Sequence, residues 1–462
     1  MIETTNSELF YLPSMPSSTR KQLLSLFDLT MIVIGLVIGL GIFRTAKDTA
    51  AASATPSIFF LTWVAGGLVA LCGALTYAEI GSRYPVTGGY YKIFATCYHP
   101  SIAFAINCII LISNAASLAG VALIGSEYIS LVLFDSPPSE LIRAGIAIFA
   151  VALFYGVNLM GLRMSSRTQN VLMAVKISML LLIVSAIFLP AQHAAKPTVI
   201  NEAISGWDWL RSFGVALVAV SFTYGGYQQT INFGEEVVDP SRNIPKGIFR
   251  GILIIIVLYL AVNFSYYKVV GFDQLKTSDG IASIVAERLL GPAGKYIFSV
   301  LLYIAVLAYV NVILLSNPRV MFAMSQDGIL PKAFQKKDEK GVLTVSLTVY
   351  AALTIIILFF AKTFDKILSF SIFLDSIGMA FSAGTIFILR RKTAQIDPSK
   401  IYIMKAYPIM PIIFIAAYAI TAVSIAISRP MLALTATLVL AVFVGIYFAT
   451  RRSHRPPTLD TN

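Results

Sequence analysis

The chain has 462 residues, of which 57% are hydrophobic and 13% charged, with a mean hydropathy of +0.80. A soluble chain of this size carries about 25% charge, so the composition excludes a water-soluble globular domain and indicates a polytopic membrane protein. The excess of 35 Lys and Arg over 23 Asp and Glu does not mark a nucleic-acid binder. These basic residues sit in short connections between apolar runs rather than on one stripe, where they act as topology signals.

The N-terminal segment, residues 1–27, is polar. Its opening, IETTNSELFYLPSMPSSTRKQ, lacks the apolar core of a cleaved signal peptide and is expected to stay in the cytoplasm. Apolar runs of about 20 residues, the length that crosses a bilayer, then follow at twelve places. They cover 28–50, 57–82, 96–131, 141–160, 166–189, 208–237, 245–270, 293–323, 342–361, 366–390, 407–427 and 430–450. Alternate connections are rich in Lys and Arg, among them Arg83, Lys92, Arg163, Arg167, Arg242, Lys246, Arg319, Lys336 and Arg390–Lys392. The others hold roughly half as many, including Lys47, Arg143, Lys196, Lys276 and Arg429. The positive-inside rule therefore predicts both termini in the cytoplasm of a cell-membrane protein. The longest connections are the outer loop 271–292, expected as short surface helices, and the inner loop 325–341. The tail 452–462 is expected to be disordered.

Two spans are poor continuous helices. In MIVIGLVIGLGIFR, Met31–Arg44, three glycines interrupt the first span, and each costs about 1 kcal/mol relative to alanine in a helix interior. In SFTYGGYQQTINFG, Ser221–Gly234, Gly225 and Gly226 stand side by side in the sixth. Backbone groups left free in hydrocarbon are tolerated only where they line a cavity or are buried in protein. Breaks at corresponding places in two halves point to a transport site at the membrane midplane. The alternative is close helix packing, which the GxxxG spacing of Gly35 and Gly39 fits as it stands.

GLVIGLGIF at Gly35–Phe43 resembles the GxxIGxGIF element of the amino acid–polyamine–organocation superfamily. SFTYGGYQQTINFGEEVVDPSRNIPKGI at Ser221–Ile248 resembles that family's second signature. Further matches are GALTYAEIGSRYPVTGGYY (Gly73–Tyr91), NLMGLRMSSRTQNVLMAVKI (Asn158–Ile177), SNPRVMFAMSQDGILPKAF (Ser316–Phe334) and KAYPIMP (Lys405–Pro411). They run through nearly the whole chain in the expected order, and the L-type amino acid transporter-like permeases are the nearest group. The resemblance implies an all-α polytopic protein of twelve transmembrane helices. Ten of them (28–390) form two inverted five-helix repeats with helices 1 and 6 unwound, and two more (391–451) follow.

The implied chemistry suits a zwitterion. A half-helix that restarts offers free N–H groups and a positive dipole end to a carboxylate, and one that stops offers carbonyls to an ammonium. By resemblance the amides of Gly39, Leu40 and Gly41 hold the carboxylate, and the carbonyls of Ile38, Phe222 and Thr223 hold the ammonium. Gly225 lets backbone approach the ligand, and Phe222 covers it from outside as a gate. Leu40 stands where the family often has serine, which removes a side-chain donor. Tyr227 replaces a tryptophan.

Among charged residues, Lys176 lies deep in the fifth span, where burial costs at least about 2.5–3.5 kcal/mol. Relatives place a lysine where sodium-coupled members hold sodium, so Lys176 is expected to substitute for that ion, with a proton-coupled role as the other possibility. A lysine snorkelling near a helix end is the bland reading. Arg44 and Asp375 are isolated charges expected toward the outer side of the site, either as a gate pair above the substrate like that of distantly related sodium-coupled symporters or as unrelated vestibule charges. Arg44 as a reader of an acidic substrate is a third option. Glu79, Glu235 and Glu236 are expected to have structural roles.

The three histidines lie in loops or tail, no metal-ligand spacing occurs, and GxxxxGK[ST] is absent, so no cofactor, metal or ATP use is expected. The outer loop DSPPSE lacks the cysteine with which some family members join an accessory glycoprotein, so no such partner is expected. The expected activity is secondary-active transport of neutral amino acids across the bilayer by alternating access, by sodium-independent exchange or proton-coupled uptake. Acidic amino acids or polyamines are the alternative substrates. A membrane enzyme lacks convergent catalytic groups, and a passive channel fits the paired breaks poorly.

Overall fold

The computed structural model describes residues 23–39, 41–136, 138–190, 205–278, 280–359 and 364–452, without the side chains of Phe222, 364–372, Ser428 and 450–452. Sixteen α-helices occur among them. They are α1 (Leu26–Val37), α2 (Gly41–Ala52), α3 (Pro56–Arg83), α4 (Gly89–Cys97), α5 (Pro100–Leu133), α6 (Glu140–Leu159), α7 (Leu162–Ser185) and α8 (Gly206–Thr223). There follow α9 (Pro240–Val270), α10 (Phe272–Thr277), α11 (Ile281–Leu290), α12 (Gly294–Gln326), α13 (Thr344–Phe359), α14 (Phe364–Lys392), α15 (Ile409–Ser428) and α16 (Pro430–Arg452).

Nine of the described helices are long and apolar enough to cross a bilayer, and α1 with α2, bent by 45°, makes a tenth. Two runs counted as spans from sequence fall short by that measure. Helix α13 has only 16 residues. Helix α8 carries Asp208 and Arg211 and stops at Thr223. The chain is thus an all-helical, multi-pass membrane protein. The short helix α4, packed against α5, was not expected. The loop 271–292 forms α10 and α11, as anticipated.

Each end of the first span has a local cause. Ser25 caps α1: its hydroxyl accepts from the Asp28 amide at 3.2 Å, while the Asp28 carboxylate accepts from the Ser25 amide at 3.0 Å, a capping box. The other Asp28 oxygen accepts from Asn170 of α7 at 2.5 Å. From Leu29 to Val37 all residues but Met31 are buried. Only an enclosed helix can be apolar all round without facing lipid. By contrast α15 and α16 lie at the periphery, where Ile427 is 78% and Met431 73% exposed.

The end of the bundle that holds Leu23 (the near end) is laced together. The Leu23 and Leu24 amides donate to the Glu236 carbonyl at 2.9 and 3.0 Å, and Val238 N–H donates to the Leu24 carbonyl. Glu79, fully buried at the end of α3, accepts from Arg83 at 2.7 Å, from Arg390 at 2.7 and 2.8 Å and from the Met404 amide at 2.9 Å. Arg319 donates to Glu236 at 2.7 Å and lies over the Phe233 ring, and Thr87 donates to Glu235 at 3.0 Å. A buried acid with this many charge-assisted donors is a structural clamp rather than a proton relay.

Candidate functional site

Both glycine-bearing spans are interrupted. Helix α1 ends at Val37, Ile38 adopts φ −76°, ψ 88°, and α2 begins at Gly41. Helix α8 ends at Thr223, and after Tyr224–Gly226 the chain continues in short 3₁₀ turns, Tyr227–Asn232 and Gly234–Glu236, rather than as an α-helix. Gly226 takes φ +116°, which an α-helix does not include, and side-by-side glycines lose more backbone entropy in a helix than other residues.

The glycines divide their labour. A Cβ on Gly35 would sit 2.3 Å from Gln169 Nε2, so Gly35 serves packing against α7. A Cβ on Gly39 would meet nothing nearer than the Tyr309 ring at 4.0 Å. Gly41 would reach Thr223 Cγ2 at 3.4 Å, so the two breaks lie against each other. Gly226 has φ +116°, and its Cβ would stand 2.2 Å from the Leu36 carbonyl oxygen. The crossing of the two interrupted spans requires glycine there.

Two side chains bind the freed carbonyls. Lys176, fully buried on α7, donates from Nζ to the Ile38 carbonyl at 2.6 Å. The buried Tyr259 of α9 reaches the Val37 carbonyl at 3.4 Å and the Thr223 carbonyl at 3.3 Å. One phenol thus spans both breaks. Of the carbonyls assigned by resemblance to a substrate ammonium, Ile38 and Thr223 therefore already accept an internal donor, leaving their second lone pairs for a guest. Leu40 and the Phe222 side chain lie outside the described residues.

Tyr259 was missed by sequence reasoning, because a tyrosine within VLYLAVNF carries no local sign of what it will face. Tyr259→Phe keeps the ring and removes the single O–H donor that the two carbonyls share. Substrate uptake into liposomes is expected to fall by about tenfold, with less than about 2 kcal/mol of stability lost. Uptake within about twofold of the parent would show that the hydroxyl bridges nothing of consequence.

A cavity of about 180 Å³ lies beside the breaks. Leu36 and the backbone of Gly225 and Gly226 line it from the broken spans, and α5 contributes Ser113, Asn114 and Ser117. Gln228, Gln229, Tyr90, Tyr309 and Tyr418 add polar atoms, while Ile110, Ile313 and Met379 are apolar. Several polar groups already have partners: Asn114 donates to Asn317 at 2.8 Å, and Ser117 pairs with the Tyr309 hydroxyl at 3.0 Å. A small, mixed cavity lined by exposed backbone is the expected form of a site for a small polar ligand. A larger space of about 630 Å³ lies at the near end among Arg319, Glu236, Lys337 and Lys340, and no described residue of either break lines it.

Asp375 of α14 lines the small cavity, with the Ser113 side chain beside its carboxylate. Arg44 is exposed on α2, within electrostatic reach of Tyr128. No ion pair joins Arg44 to Asp375 in this conformation. The structure separates the two: Asp375 belongs to the cavity wall, and Arg44 does not line it. Among the described residues no group of three or more His, Cys, Asp and Glu side chains could hold a metal ion.

The model of the amino acid permease family matches residues 24–448. The serine/threonine exchanger SteT of Bacillus subtilis is 29% identical over 404 residues, covering 86% of this chain and 89% of that protein. The large neutral amino acids transporter small subunit 2 of Homo sapiens is 26% identical over 439 residues, covering 92% and 80%. A methylthioribose transporter of Bacillus subtilis is 28% identical over 339 residues, covering 69% and 70%. These relatives are membrane carriers, not enzymes. With its two interrupted spans, its encased first helix and a family match reaching almost from end to end, the chain belongs to the amino acid permease family of the amino acid–polyamine–organocation superfamily, among relatives of the L-type amino acid transporters.

Proposed function

We propose that the chain carries neutral L-amino acids across the cell membrane as a secondary-active permease, by alternating access and without sodium. The observation that carries the reading is that the two breaks lie against each other beside a small cavity lined by Leu36, Gly225 and Gly226, where carbonyls with a lone pair to spare and a restarted helix complement a zwitterion. In this reading the amides of Gly39, Leu40 and Gly41 receive the carboxylate, the Gly39 amide exchanging its 2.9 Å bond to the Val37 carbonyl for the guest. The remaining lone pairs of the Ile38, Phe222 and Thr223 carbonyls receive the ammonium, and Gly225 gives close access. Phe222 covers the ligand.

Lys176 supplies the positive charge that a sodium ion would otherwise bring between the first and fifth spans; its bond to Ile38 supports that role. Arg44 stands in the far vestibule. The laced near end corresponds to a closed cytoplasmic side. That assignment follows from both termini lying inside, as the distribution of Lys and Arg supports. Counting α1 with α2, α8 with the turns that follow it, and α13 as spans gives twelve crossings. Ten within 28–390 form the inverted-repeat core, the other two lie in 391–451, and the polar ends are 1–27 and 452–462. The loop 135–140 has no cysteine, which supports work without a covalently bound glycoprotein subunit.

The test is uptake by the purified chain in liposomes. Saturable uptake, equal with sodium or choline outside and raised by the same amino acid inside, is the expected result. A requirement for a sodium gradient would overturn the lysine-for-sodium reading. Uptake linear in concentration and blind to internal substrate would replace a carrier with a channel.

A further inference from the structure

Asp375, expected as a gate residue on the outer side of the site, lines the cavity itself. Its carboxylate is on the wall of the same cavity that Gly225 and Gly226 line. Among the described residues no lysine, arginine or histidine lines that cavity, and no ion pair reaches Asp375. Its neighbours are neutral: Ser113 beside it, and the phenols of Tyr90, Tyr309 and Tyr418 within electrostatic reach. Lys176, the nearest buried cation to the breaks, is turned to Ile38 instead and is not part of the wall.

A carboxylate in a small pocket without a cation is poorly compensated. An apolar guest would strip its remaining water and offer nothing in return, and an acidic guest would add like charge. A guest whose side chain ends in an O–H or N–H would satisfy it. Sites built to hydrogen-bond a substrate group reject the analogue that lacks it, because the protein's own polar group is then left unpaired. The neighbouring Ser113, Asn114 and Gln228 extend the same polar wall.

We propose that Asp375 is the specificity-determining residue of the cavity, selecting amino acids whose side chains carry a hydrogen-bond donor, hydroxyl or ammonium, over apolar and acidic ones. This rests on the cavity being an amino acid site: the hydroxyl case narrows the neutral class, and the ammonium case would replace it with a cationic one.

The test is exchange by the purified full chain in liposomes, with labelled serine, threonine, lysine, leucine and glutamate compared in turn. The parent protein is expected to favour at least one donor-bearing amino acid over leucine and glutamate by about tenfold or more. In Asp375→Ala that ratio is expected to collapse to within about threefold. Asp375→Asn, nearly the same shape, separates the two donor types: an amide still accepts from a hydroxyl, so serine and threonine persist, whereas lysine is lost with the charge. Leucine outranking every donor-bearing amino acid in the parent would overturn the proposal, whatever the variants do. An unchanged ratio in monodisperse Asp375→Ala would do the same while leaving the amino acid reading intact. Exchange of none of the five would sink both.

Discussion

Replacing Lys176 with methionine is expected to cut substrate uptake by about tenfold or more while the protein still elutes as a single species. Lys176 is fully buried, and its ammonium lies 2.6 Å from the Ile38 carbonyl in the gap between α1 and α2. Methionine fills nearly the same volume, so packing changes little. What disappears is a charge-assisted hydrogen bond, leaving a buried carbonyl short of a donor at about 1–3 kcal/mol. That loss falls on the residue that ends the first half-helix, so the geometry of the break should suffer before the bundle does. A lysine present only for packing or snorkelling predicts otherwise. Uptake within about twofold of the parent, with unchanged thermal unfolding in detergent, would remove Lys176 from the working site.

The second large effect belongs to Gly226, with Gly39 as its contrast. At Gly226 the backbone has φ +116°, a region that costs a side chain about 1–3 kcal/mol. The same Cβ would stand 2.2 Å from the Leu36 carbonyl oxygen, and backbone there cannot step aside. Gly226→Ala is therefore expected to lose more than about 3 kcal/mol of stability and to yield little monodisperse protein. At Gly39 a Cβ meets only the edge of Tyr309 at 4.0 Å, so Gly39→Ala is expected to fold. Its added methyl lies in the gap proposed to receive the carboxylate, so uptake should drop even though unfolding does not change. Fluorescence-detected size exclusion, followed by liposome uptake, reads both. Equal yields of the two alanine variants would mean that the spans do not cross at Gly226.

These contrasts show what a list of glycines leaves open. Gly35, Gly39, Gly41 and Gly226 look alike as letters. One accommodates Gln169, one faces space, one touches Thr223 and one admits a carbonyl from another span. The choice offered by the motif, between close packing and an exposed site, has a different answer at Gly35 than at Gly39.

Several features were legible from the residues alone, because their causes are local in the chain. A run of about 20 apolar residues must become a helix in hydrocarbon to pair its own backbone, so α3, α5, α7, α9 and α12 fall close to the expected spans. The interruptions after Val37 and after Thr223 fall where glycines cluster, and the start of α1 follows from Ser25 and Asp28. That a buried Lys176 needs an acceptor follows from the cost of its charge. Only the tertiary structure could name Ile38 as that acceptor, set Tyr259 across both breaks, move Asp375 onto the cavity wall and leave Arg44 apart. In a membrane helix the lipid is as apolar as the core, so no periodicity in the sequence marks which face looks inward. Those assignments depend on which helices touch, and contacts between residues a hundred or more positions apart are a property of the packed bundle rather than of any stretch of chain.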